Sequence, residues 1–76
     1  MTRDEHAFRR ALVLGFSFGT YPNDRLYFVS PPAPNDPADI AEVDRVRIHL
    51  RDNWPAMLGL VAVHLHEQRR MVPRFE

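Results

Sequence analysis

The sequence contains no cysteine, so no disulfide braces this chain of 76 residues, and a secreted disulfide scaffold is excluded. Lysine is missing as well. All ten basic residues are arginine, and they are spread along the chain, which reads as a compositional habit more than as a phosphate-binding patch. An excess of either charge is also absent, because ten Asp and Glu balance the ten arginines. A net charge of zero weakens any broad attraction to nucleic acid. No apolar run approaches the ~18 residues that a membrane span requires. The opening MTRDEHAFRR mixes both charge signs and has no signal-peptide hydrophobic region, so the expected location is cytoplasmic. The length allows one domain at most, taken as residues 1–76. A chain this short buries only about 60% of the surface it exposes when unfolded, so oligomerisation is one expected source of extra stability.

Only three glycines occur, and two of them fall in residues 11–30 with most of the aromatic side chains. In the first half of that stretch Leu12, Leu14, Phe16 and Phe18 alternate with Val13, Gly15, Ser17 and Gly19. Period two is the spacing of a half-buried strand. Pro22, Asn23 and Asp24 then supply turn chemistry, and Leu26 and Phe28 resume the alternation. The expectation is a β-hairpin pairing Gly19 with Arg25, Phe18 with Leu26 and Phe16 with Phe28, so that large apolar side chains meet on one face. Gly15, Ser17 and Gly19 would leave the other face smooth, open to the C-terminal helix or a partner chain.

The same residues spell Gly15-Phe16-Ser17-Phe18-Gly19, which resembles the G-x-S-x-G nucleophile elbow of α/β-hydrolases. That elbow must lead into a helix that crosses back to a parallel strand, a connection of about a dozen residues. Only five residues separate Gly19 from Arg25, one of them Pro22. The motif is therefore read as the small-residue side of a hairpin, and the chain is expected not to be an enzyme.

Thr2 and Glu5 have capping-box spacing, which predicts a short helix over residues 3–10 that turns Ala7, Phe8 and Ala11 inward. Residues 30–37 hold four prolines and read as a stiff, extended linker. Asp36 and Pro37 then form a strong helix start, predicting a helix over residues 37–52 with Ile40, Val43, Val46, Leu50 and Trp54 on one arc. A competing pattern lies inside it. Residues 45–51 alternate without exception, and a third strand there would set Arg45, Arg47, His49 and Arg51 on one face. Pro55 separates this segment from a second helix over residues 56–71, with Trp54, Leu58, Val61, Leu65 and Val72 as its stripe. Residues 72–76 read as a tail, with Phe75 available for docking. The fold class is thus α+β: hairpin, Pro-rich crossover and two helices.

Four histidines raise the question of a metal. His49 with Asp52 and His64 with Glu67 each have i, i+3 spacing. In a helical hairpin turning at Asn53, the two histidines fall roughly 8–9 Å apart along the axis, too far to share one ion. No metal, cofactor or catalytic residue is assigned. Too many aromatic side chains for a small core point instead to a protein-binding module: an adaptor, inhibitor or accessory subunit of the kind phages use against host machinery. The residues assigned to partner contact are Tyr21, Tyr27, Arg45, Arg47, Arg51, Trp54, Arg69 and Arg70. A homo-oligomer is expected, since a lone two-stranded sheet is marginal and leaves open edges. The alternative is a small nucleic-acid-binding regulator that uses the arginine face of a strand at 45–51.

Overall fold

The computed structural model describes residues 1–20 and 23–71, with Arg70 and Met71 described by backbone alone. The elements are α1 (Arg3–Leu14), β1 (Ser17–Gly19), β2 (Tyr27–Val29), α2 (Pro37–Asp52) and α3 (Trp54–Met71). This is a small α+β domain in which a helix precedes an antiparallel hairpin and two helices follow it. Tyr21 and the 72–76 segment, with Phe75, lie outside the described residues. No described helix is long and apolar enough to cross a membrane.

Helix α1 starts with the expected capping box. Thr2 Oγ1 accepts from the Glu5 N–H at 3.0 Å, and the Glu5 carboxylate accepts from the Thr2 N–H in return. The helix does not stop at residue 10. It continues to Leu14, through residues expected to begin the first strand. What ends it is Gly15, at φ 98° in the left-handed region that a side chain disfavours. The Gly15 N–H reaches Leu12 O at 3.2 Å and the Phe16 N–H reaches Ala11 O at 2.9 Å, the paired bonds of a Schellman termination. Ala11 and Phe16, which bracket this turn, are both buried. Leu12 and Val13, expected on a strand, are exposed helix positions instead.

The hairpin register is also displaced. Ser17 lies opposite Val29, Phe18 opposite Phe28 and Gly19 opposite Tyr27, two residues along from the expected pairing. A shift of two keeps every side chain on its face, so the large apolar groups still gather on one side. The loop absorbs the difference. Asp24 takes φ 61°, its N–H bonds Thr20 O at 2.8 Å, and the Arg25 N–H bonds Asn23 Oδ1 at 3.2 Å. The small-residue face is not left open to a helix. The Tyr27 ring lies over Gly19 so closely that a Cβ there would stand 2.8 Å from Tyr27 Oη. The helices pack on the other face, where Phe18 meets Phe8 at 5.1 Å between ring centroids and stacks on Trp54 at 6.4 Å, and Phe28 meets Trp54 at 5.2 Å.

Helix α2 begins with Asp36 Oδ1 accepting from the Ala38 N–H at 2.8 Å and Pro37 in the first turn. It runs unbroken to Asp52, so no strand forms at 45–51. A good cap and the lack of any breaker before Asn53 outweigh the local alternation. Asn53 serves both neighbours. Its N–H and its side-chain Nδ2 bond His49 O, each at 3.0 Å, while its own carbonyl accepts from the Ala56 and Met57 N–H groups. Pro55 therefore falls in the first turn of α3, where its missing N–H costs nothing, and the helix starts two residues earlier than expected. The core gathers Ala7, Phe8, Ala11, Phe16, Val46, Leu50, Met57 and Val61. On α3 the buried face centres on Met57 and Val61, so Leu58 is exposed; on α2, Ile40 is exposed as well.

The two helix-associated glycines give opposite expectations. Gly15→Ala forces a side chain into the left-handed region and is expected to destabilise by roughly 1–2 kcal/mol. Gly59 lies inside α3 with nothing within 4 Å of a built Cβ, so Gly59→Ala is expected to stabilise by about 0.8–1.0 kcal/mol. Urea denaturation of both variants reads the signs directly, and a neutral or stabilising Gly15→Ala contradicts the helix termination described here.

Candidate functional site

Helix α1 carries Arg3, His6 and Arg10 at intervals of three and four, which places them along one face. Helix α2 carries Glu42, Arg45 and His49 at the same intervals. The two stripes face each other and line an open groove of about 570 Å³, with the buried Ala7 and Val46 also on its wall. Two polar ties span the helices. Arg10 Nη2 donates to Glu42 Oε1 at 2.6 Å, and His49 Nε2 lies 2.8 Å from Asp4 Oδ1. The first part of α2 is thus joined to the second half of α1, and the end of α2 to the start of α1, so the helices run antiparallel. An ionised carboxylate only accepts, so the His49 contact places the ring proton on Nε2.

Three arginines against one glutamate give the groove a lining charge of +2 with histidine neutral, in a chain whose net charge is zero. The hydrogen bond from Arg10 holds the Glu42 carboxyl below its ordinary range; burial opposes it, and the nearby charges of Arg10, Arg45 and His6 add smaller contributions in the same direction as the hydrogen bond. Arg3, His6 and Arg45 make no hydrogen bond and no ion pair with any described residue.

The residues expected at a partner contact do not converge. Arg45 lines the groove, whereas Arg47, which donates to Asp44 at 2.6 Å, and Arg51, which donates to Asp52 at 3.3 Å, lie together on another side of α2. A helix turns by about 100° per residue, so the face that a strand would have shared is dispersed. Trp54 is half-buried in the aromatic cluster with Phe18 and Phe28. Tyr27 stays 42% exposed on the outer face of the hairpin, beside Val29 at 51%. Arg69 lies near Asp24 and His66 at the far end of α3, and the Arg70 side chain is outside the described residues, as is Tyr21. His64 packs edge-on to Phe8 and Phe18, at 5.4 and 6.5 Å. Among the described residues no three His, Asp or Glu gather as metal ligands. Ser17 is an exposed strand residue preceded by a helix, the reverse of the elbow order.

Sequence reasoning missed Arg3, His6, Arg10, Glu42 and His49 as one site. The signal available was the repeated three-and-four spacing on each helix. Comparison with protein families, with curated proteins and with solved structures finds no match to this chain.

Since its folded-state carboxyl holds a proton less readily than the unfolded one, Glu42 adds stability above its ordinary value of 4.5 and loses it as pH falls through the lower folded value. Glu42→Gln is therefore expected to be less stable than the parent at neutral pH, with the gap narrowing in acid. Chemical denaturation midpoints measured across that range check this, and a gap independent of pH speaks against the Arg10–Glu42 pair.

Proposed function

We propose that the chain is a non-enzymatic protein-binding module, an adaptor, inhibitor or accessory subunit, that self-associates through its hairpin. The observation that carries this reading is the hairpin's undefended outer side. Its two strands have three residues each, and neither outer edge is paired among the described residues. Their shortness is one of the devices that blunt an open edge; charge and proline on the edge are others. Ser17-Phe18-Gly19 and Tyr27-Phe28-Val29 carry no charge and no proline, and Tyr27 and Val29 present apolar surface beside them. A strand from a second chain would satisfy these backbone groups, the mode of recognition by β-augmentation.

The wider surface supports the same reading. Among the described residues nine large apolar side chains are exposed, more than the six large ones buried once Ala7 and Ala11 are set aside. Ile40 and Ile48 share the outer side of α2 with Arg47 and Arg51, a mixture of aliphatic and guanidinium groups that suits protein contact. The nucleic-acid alternative rested on arginines aligned along a strand, and a helix at residues 45–51 takes that alignment away.

Sedimentation velocity at micromolar concentration is the test, with a dimer expected for the parent chain. Val29→Lys, which places a charge on the open edge, is expected to give a folded monomer whose thermal midpoint is lowered by the loss of association. A monomeric parent chain overturns self-association.

A further inference from the structure

We infer that the groove between α1 and α2 is a docking site for an acidic peptide segment of a protein partner, with Arg3 and Arg45 receiving its carboxylates. This site shares no residue with the hairpin surface and stands without it. Three observations carry it. The first is unspent donor capacity: Arg3 and Arg45 are exposed, on facing helices, and bonded to no described residue, whereas Arg10 is already held by Glu42. A guanidinium presents five N–H donors in a planar fork that matches a carboxylate in two-point contact. The second is charge complementarity. A lining of +2 in a chain of net zero leaves the remainder at −2, so a segment rich in Asp or Glu is drawn to this groove and repelled elsewhere. The third is shape. About 570 Å³ accommodates a few side chains, and Ala7 and Val46 provide an apolar wall on which their methylenes can rest.

The same lining separates a peptide from a nucleic-acid strand. Glu42 stands in the groove with Arg10 on one side and Arg45 close enough to act on its charge. Evenly spaced phosphates would have to pass this carboxylate, whereas a peptide can place a neutral residue there and set its carboxylates on Arg3 and Arg45.

Fluorescence anisotropy with a labelled deca-glutamate, a deca-glutamine control and a generic DNA duplex tests the site at an ionic strength of about 0.1 M. Deca-glutamate is expected to bind and deca-glutamine not. The double variant Arg3→Glu, Arg45→Glu should lose affinity by about tenfold or more, as expected on removing charge-assisted contacts. Arg9→Glu with Arg25→Glu makes the same change in net charge at exposed positions outside the groove and should leave binding within about twofold of the parent. Circular dichroism confirms that each variant is folded, and Arg3→Gln with Arg45→Gln repeats the measurement without reversing charge. Equal loss in both charge-reversed pairs, absence of deca-glutamate binding, or tighter binding of the duplex that displaces the peptide each overturns the inference. Repeating the titration in the Val29→Lys chain separates this site from self-association: binding that persists in the monomer supports the groove, and binding that vanishes with the dimer overturns it.

Discussion

The left-handed turn at Gly15 is the constraint on which the rest of this structure depends. Within two residues, Gly15 and Phe16, the chain leaves α1 and sets out along β1, with Ala11 and Phe16 buried on either side of the reversal. Without positive φ at that point the helix carbonyls would lack their closing partners and Phe16 would not enter the core. Pro31 reinforces the geometry from outside, its Cβ lying 3.4 Å from where a Gly15 Cβ would sit. One permissive residue thus determines which face of the hairpin meets the helices.

What the turn brings together is a cluster of rings. Phe8 from α1, Phe18 and Phe28 from the hairpin, and Trp54 from the start of α3 touch in sequence, and His64 packs against two of them. Aromatic pairs of this kind add about 0.5–1.5 kcal/mol each beyond the area they bury. That matters here because, among the described residues, only Leu50, Met57 and Val61 are large and fully buried, each contributing about 1.5–3 kcal/mol. A two-stranded sheet has little stability of its own. The hairpin is held by its rings more than by its ladder, which lets its outer edges remain unpaired.

The groove follows a different logic. Charged side chains line up at intervals of three and four on α1 and again on α2, and the Arg10–Glu42 and Asp4–His49 contacts hold those faces together. The same antiparallel packing leaves Arg3 and Arg45 with no hydrogen bond or ion pair to any described residue. Neutrality over the whole chain therefore coexists with a local excess of positive charge, and the electrostatic character of the site belongs to the arrangement and not to the composition.

Local chemistry determined a good part of this protein. The Thr2–Glu5 box, the Asp36–Pro37 start and the break before Pro55 were legible because each depends on residues within one turn of one another. The order of hairpin, proline-rich crossover and two helices was legible for the same reason. Period two over residues 11–14 misled, since Leu12 and Val13 carry the alternation of a strand on exposed turns of a helix, and the Schellman bonds that extend α1 are stated by Gly15 alone. Alternation at residues 45–51 was equally ambiguous until the cap at Asp36 carried the helix through it. Only the tertiary structure decided the register of the hairpin, the covering of Gly19 by Tyr27 and the meeting of Arg3, His6 and Arg10 with Glu42, Arg45 and His49. Each of these joins residues from separate elements, and the packing that aligns such elements is not encoded in any one segment.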